Sequence, residues 1–138
     1  MLCNLISQTL AVLKRAHTAQ PAFAHNLGIL DLNTIHFGAS RGSGHSTTIE
    51  ALTNIYMSEI ICASNRQKRY YEGRANGTKV SSWAEALRYI GRSAENIEVV
   101  FVDNWVDILK TEADNFWENY RKIGAQYDIS STVFALIH

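Results

Sequence analysis

The chain is short of almost everything that would assign it a function by composition. Thirteen basic side chains are matched by thirteen acidic ones, so no overall field draws it to nucleic acid or a membrane surface, and any nucleic-acid contact must be local. Cysteine occurs twice, at Cys3 and Cys62. The two are far apart and form no metal-binding pair, which fits a reducing compartment and makes the cytoplasm the expected location. No apolar run approaches the ~20 residues of a membrane span. The apolar N-terminus is broken by Asn4, Ser7, Gln8 and Thr9, and Lys14-Arg15 follow it rather than precede it, the wrong order for a secretory signal. His17, His25, His36, His45 and His138 share no metal-ligand spacing, and no local signature of a Ser-His-Asp or Cys-His site is present.

What is there suffices for one compact domain. With 138 residues, 46% of them hydrophobic, a single core is expected over 1–138. Leu2, Leu5, Ile6, Leu10 and Leu13 recur at helical spacing, which predicts an N-terminal helix within residues 1–20. The core then runs over 34–138. Thr34 to Gly38 reads as a strand, Ser46 to Met57 as a helix, and Glu59 to Ala63 as a buried strand. Arg66 to Lys79 is polar and reads as loop, with turns at Gly73 and Asn76-Gly77, and Ser81-Ser82 offer caps for a helix from Trp83 to Ile90. Ile97 to Val102 is the strongest strand, Asp107 to Ile123 a long helix ended by Gly124, and Thr132 to Ile137 a last strand. This alternation predicts a three-layer α/β domain with a short, mostly parallel sheet. In such a sheet Gly38 to Ser46, Asp103 and His138 all fall at the carboxyl ends of strands, where ligands bind.

The segment Phe37-Gly38-Ala39-Ser40-Arg41-Gly42-Ser43-Gly44-His45-Ser46-Thr47 is the chemically richest. It has the strand, the glycine-rich turn and the paired hydroxyls of the pattern G-x-x-x-x-G-K-[ST], with Ala39 at the first glycine and His45 at the lysine. Ile97 to Asp103 is an apolar strand closed by an aspartate. On these residues the chain resembles a small P-loop NTPase domain, and its loop is similar to the arginine-containing loop of phage terminase large-subunit ATPases. The resemblance implies ATP or another nucleotide with Mg²⁺ as cofactor. It places Ser40, Arg41, Gly42, Ser43, Gly44, His45, Ser46 and Thr47 around the phosphates, and Ser46 and Asp103 at the metal.

Two departures weaken the implied hydrolysis. His45 lacks the permanent charge of lysine, and Asp103 is followed by Asn104, which can hydrogen-bond a water but cannot take its proton. A nearby triphosphate would raise the His45 pKa, while the helix N-terminus opposes the imidazolium. Three readings follow. The first is a nucleotide- or phosphate-binding sensor, regulator or assembly module with little turnover. The second is an interaction module on a relic scaffold, which binds a protein, another copy of itself, or nucleic acid through its N-terminal helix or through the basic, tyrosine-bearing segment Arg66 to Arg74. The third is a divergent ATPase in which Arg41 replaces the lysine. No membrane partner is expected. Cys62 is expected to be inert, and Glu112, Asp114 and Glu118 to lie on the solvated face of a helix.

Overall fold

The computed structural model describes residues 34–37, 45–74, 78–88, 96–127 and 132–138. The expected N-terminal helix and residues 38–44 of the glycine loop lie outside the described residues. Those described form β1 (Thr34–Phe37), α1 (His45–Thr53), β2 (Ser58–Cys62), α2 (Asn65–Glu72), β3 (Lys79–Ser82), α3 (Trp83–Arg88), β4 (Val99–Asp103) and α4 (Trp105–Glu112). A 3-10 turn (Ala113–Asn115), α5 (Phe116–Gly124) and β5 (Val133–Ile137) complete them.

The strands make one sheet in the order β1-β5-β4-β2-β3, and every pairing is parallel. Parallel strands must be crossed over by helices, which cover both faces. Accordingly, every residue of β2, β4 and β5 is buried. Alternate side chains build two cores. Ile60, Phe101 and Ala135 pack with Ile49 and Leu52 of α1 and Tyr71 of α2. On the opposite face Val100, Val102 and Phe134 pack with Trp83 of α3, Ile108 of α4, and Phe116, Tyr120 and Ile123 of α5. The α/β class and the parallel sheet are therefore as the alternation predicted.

Three elements differ from expectation. Asn65–Glu72 is a helix and not a loop: Ser64 caps it by accepting from the Gln67 amide, and Lys68 pairs with Glu72 one turn on. It buries only Tyr71, so it carries no apolar stripe to betray it. Lys79–Ser82 is an edge strand, where a loop ending at Lys79 and two capping serines were expected. Its last residue also opens α3 as a capping box: Ser82 Oγ accepts from the Glu85 amide at 3.2 Å and Glu85 Oε1 from the Ser82 amide at 3.3 Å. The single long helix is two helices, broken where Ala113 takes φ 48°. The break lets Phe116, Tyr120 and Ile123, at helical spacing, turn together onto the sheet. Asn119 donates to Glu112 across it at 2.7 Å.

Candidate functional site

The helix α2 crosses over from β2 on one face, while α4 follows β4 on the other. The loops leaving these neighbouring strands therefore diverge, and a crevice opens between their carboxyl ends. A cavity of ≈ 400 Å³ lies there, lined by Ser46, Ser64, Arg66, Gln67, Tyr70, Tyr71, Asp103 and Asn104. Ser46 comes from the first turn of α1, directly after the glycine loop, and Asp103 from the last position of β4. The sequence thus brings the two residues expected at a metal to one cavity.

What joins them was not expected. Tyr71 of α2, 1% exposed, donates its phenolic proton to Asp103 Oδ2 at 2.6 Å, and Asp103 is itself only 2% exposed. Ser46 lines the same cavity as this phenol. Burial, followed by the Asp103 charge and the hydrogen bond to it, holds the Tyr71 phenol above its ordinary range, with Ser46 pulling the other way. The phenol is therefore a proton donor held on the Asp103 carboxylate.

Asn104, where a hydrolytic site would carry a glutamate, has the left-handed backbone φ 55°, ψ 44°. Its amide donates to the Ile137 carbonyl at 2.8 Å, tying β4 to the end of β5. Asparagine tolerates this conformation better than most side chains, so the turn itself is a backbone reason for the residue found there.

The basic segment separates into distinct roles. Lys68 is bound by both Glu85 oxygens at 2.8 and 2.9 Å, and this hydrogen bond raises the pKa of Lys68 and lowers that of Glu85. Arg74 lies 4.1 Å over the Tyr70 ring and 4.0 Å from Glu50. Arg66 is exposed at the cavity, and no carboxylate pairs with it among the described residues. Tyr71 is buried and so cannot stack on a base, which leaves Tyr70, 38% exposed, as the accessible ring.

Of the remaining candidates, His45 starts α1 and Thr47 is exposed on its first turn, away from the cavity lining. Ser40, Arg41, Gly42, Ser43 and Gly44 are outside the described residues. His138 follows the last residue of β5, and its Nδ1 accepts from Trp105 Nε1 at 3.2 Å. Trp105 thus engages His36 and His138 in edge contacts instead of lining the cavity. Asp114 and Glu118 are exposed and Glu112 half-buried. Among the described residues no three His, Cys, Asp or Glu side chains gather as metal ligands, and no helix is long and apolar enough to cross a membrane.

Cys62 ends β2, fully buried, and its thiol is pushed up to about 12, by burial first and the Asp103 charge second. A thiol stays unreactive until it ionises. In a Cys3→Ser variant, labelling of Cys62 by a disulfide reagent near neutral pH is expected to proceed only as fast as the protein opens. The same raised value in the folded state means that stability is full below the ordinary thiol pKa of 9.0 and is lost as pH climbs from there toward about 12. The raised Tyr71 phenol acts in the same direction above its ordinary 10.0. Melting temperatures between pH 8 and 11 would read the decline; a flat profile would contradict both shifts.

No protein-family model and no curated protein matches the chain.

Proposed function

We propose that this protein is a P-loop-like domain that binds a nucleotide or another phosphate-rich ligand with little or no hydrolysis, and serves as a sensor, regulator or assembly module. The observation that carries this reading is the convergence of Ser46, from the helix that follows the glycine loop, and Asp103, from the end of β4, on one cavity at the carboxyl edge of the sheet. Glycine-rich loops between a strand and a helix at the carboxyl edge of a parallel sheet characteristically present backbone amides to anions. Weak turnover follows from the same cavity. Asp103 is the one carboxylate among its described lining residues, its Oδ2 is engaged by Tyr71, and Asn104 cannot accept a proton.

Thermal unfolding against ATP, GTP, ADP and inorganic phosphate tests the reading. A ligand at about one hundred times its Kd adds ~2.7 kcal/mol, a rise of roughly 10 °C for a domain of this size. The rise is expected to be larger near pH 6 than near pH 8 if His45 supplies charge, and His45→Lys should enlarge it and flatten the pH dependence. No rise with any phosphate compound at either pH would defeat the proposal.

The second reading, an interaction module, draws on Ile55 and Met57, each 62% exposed at the turn before β2, on the opposite edge of the sheet. It predicts self-association or partner capture that Ile55→Ser with Met57→Ser abolishes, with no response to nucleotide.

A further inference from the structure

On the face of the sheet covered by α5, the central strands present apolar side chains, Val100 and Val102 from β4 and Phe134 and Leu136 from β5. The edge strand breaks this pattern. Its register sets Thr34 beside Phe134 and His36 beside Leu136, so β1 offers a hydroxyl and an imidazole where its neighbour offers a phenyl ring and an isobutyl group. A cavity of ≈ 350 Å³ opens there, lined by Thr34 and His36 of β1 and by Trp117, Tyr120 and Arg121 of α5. It shares no lining residue with the Ser46 cavity. Tyr120 belongs to the interior, 1% exposed with its hydroxyl 2.5 Å from Thr34 Oγ1. Trp117 does not: it is 38% exposed, and Phe116, Tyr120, Trp105 and His36 meet it with planes between 51° and 88° apart, so none of these rings lies flat on the indole. Arg121, one turn along α5, is exposed and has no carboxylate partner among the described residues, whereas Lys122 beside it is held by Glu118 at 3.6 Å.

We propose that this cavity binds a small molecule in which a flat aromatic ring carries an anionic group, the ring stacked on Trp117 and the anion paired with Arg121. The proposal does not depend on the phosphate reading, because the two cavities are built from different residues. Positions four apart on a helix face the same way, so the indole and the guanidinium project side by side, at a separation that a single ring with its substituent spans. The guanidinium fork takes two oxygens at once, which selects a carboxylate or phosphate, and no carboxylate in the lining opposes it. An aromatic face is satisfied by an offset ring laid against it, and the imidazole of His36, 6.3 Å from the indole, can donate to or accept from a ring substituent. The volume is at the small end for ligand pockets. A nucleic-acid strand fits the lining less well: its affinity comes from several phosphate contacts, and one cation lines the cavity in a chain of zero formal net charge.

Equilibrium dialysis of the full chain with 2-naphthoate tests this, with 2-naphthamide as the neutral counterpart and acetate as the anion without a ring. The naphthoate is expected to saturate one site at millimolar concentration or below, and the amide and acetate to bind about tenfold more weakly or worse. Arg121→Ala should weaken the naphthoate by about tenfold and abolish its advantage over the amide, with Arg121→Lys recovering part of the loss. Trp117→Ala should weaken acid and amide alike by about fivefold, with Trp117→Phe recovering part. Both side chains are exposed, so the variants are expected to melt as the wild type does. Failure of 2-naphthoate to bind, equal binding of acid and amide, or binding indifferent to both substitutions would overturn the proposal. So would a single-stranded oligonucleotide that binds where 2-naphthoate does not and weakens in the same two variants, since the site would then belong to a strand.

Discussion

Replacing Phe116 with alanine is expected to lower the melting temperature by on the order of 10–15 °C, the largest stability effect of any single change proposed for this chain. Phe116 is fully buried and is the point at which three helices meet. It stacks on Trp83 of α3 at 5.0 Å with planes 6° apart, meets Trp105 of α4 at 6.1 Å, and touches Trp117 and Tyr120 of its own helix at 4.8 and 6.1 Å. Truncation leaves a void bounded by rigid rings, which cannot collapse into it as aliphatic chains can. Losses of ~3–5 kcal/mol are typical of buried Phe→Ala, against a total of only ~5–15 kcal/mol for a domain. The cavity of Ser46 and Tyr71 is bordered by α1 and α2, which pack in the other core, so a phosphate ligand should still raise the melting temperature of the variant. A drop below about 3 °C would mean that the aromatic cluster is not the joint between these helices.

Gly44→Val is expected to remove the nucleotide-dependent rise in melting temperature altogether while changing the unliganded protein little. A loop that hydrogen-bonds phosphate through its amides must bring backbone within contact of the ligand, and a branched side chain next to the start of α1 both blocks that approach and restricts the backbone angles available to the turn. The ~2.7 kcal/mol of ligand stabilisation at a hundredfold excess over Kd is therefore lost as a whole rather than in part. Thermal unfolding with and without ATP reads this directly. If Gly44→Val retained the full shift, the ligand would be held by the crevice alone, and the loop would be excluded as part of the site.

The fold class was legible because its central strands are nearly uniform apolar runs: Val99 to Val102 and Val133 to Ile137 are buried on both faces, and such runs leave few alternatives to a covered parallel sheet. What escaped sequence reasoning lacked the periodic signal on which that reasoning depends. The helix Asn65–Glu72 has one buried residue and was visible only through the Ser64 cap and a run of residues with good helix propensity. The edge strand Lys79–Ser82 is too short to show alternation, and its serines read equally well as caps. The break at Ala113 occurs at a residue that favours helices, with neither glycine nor proline to announce it. The meeting of Ser46 with Asp103 was foreseeable from motif spacing along the chain. The phenol bonded to Asp103 was not, since the bond from Tyr71 to Asp103 spans 32 positions and leaves no mark in local pattern.

The strand order carries a consequence for how the chain assembles. At the edge of the sheet β1 pairs with β5, Thr34 opposite Phe134 and Phe37 opposite Ile137, a closure of about one hundred residues that carries a large loop entropy. The strand that launches the glycine loop is thus among the first described parts to be synthesised, and it gains its sheet partner only when the last strand arrives. Until then β2, β3 and β4 can pair among themselves, while β1 waits with its hydrogen-bonding edge bare. Folding is accordingly expected to be slow for the chain's size, and the phosphate site proposed here should be completed only in its final step.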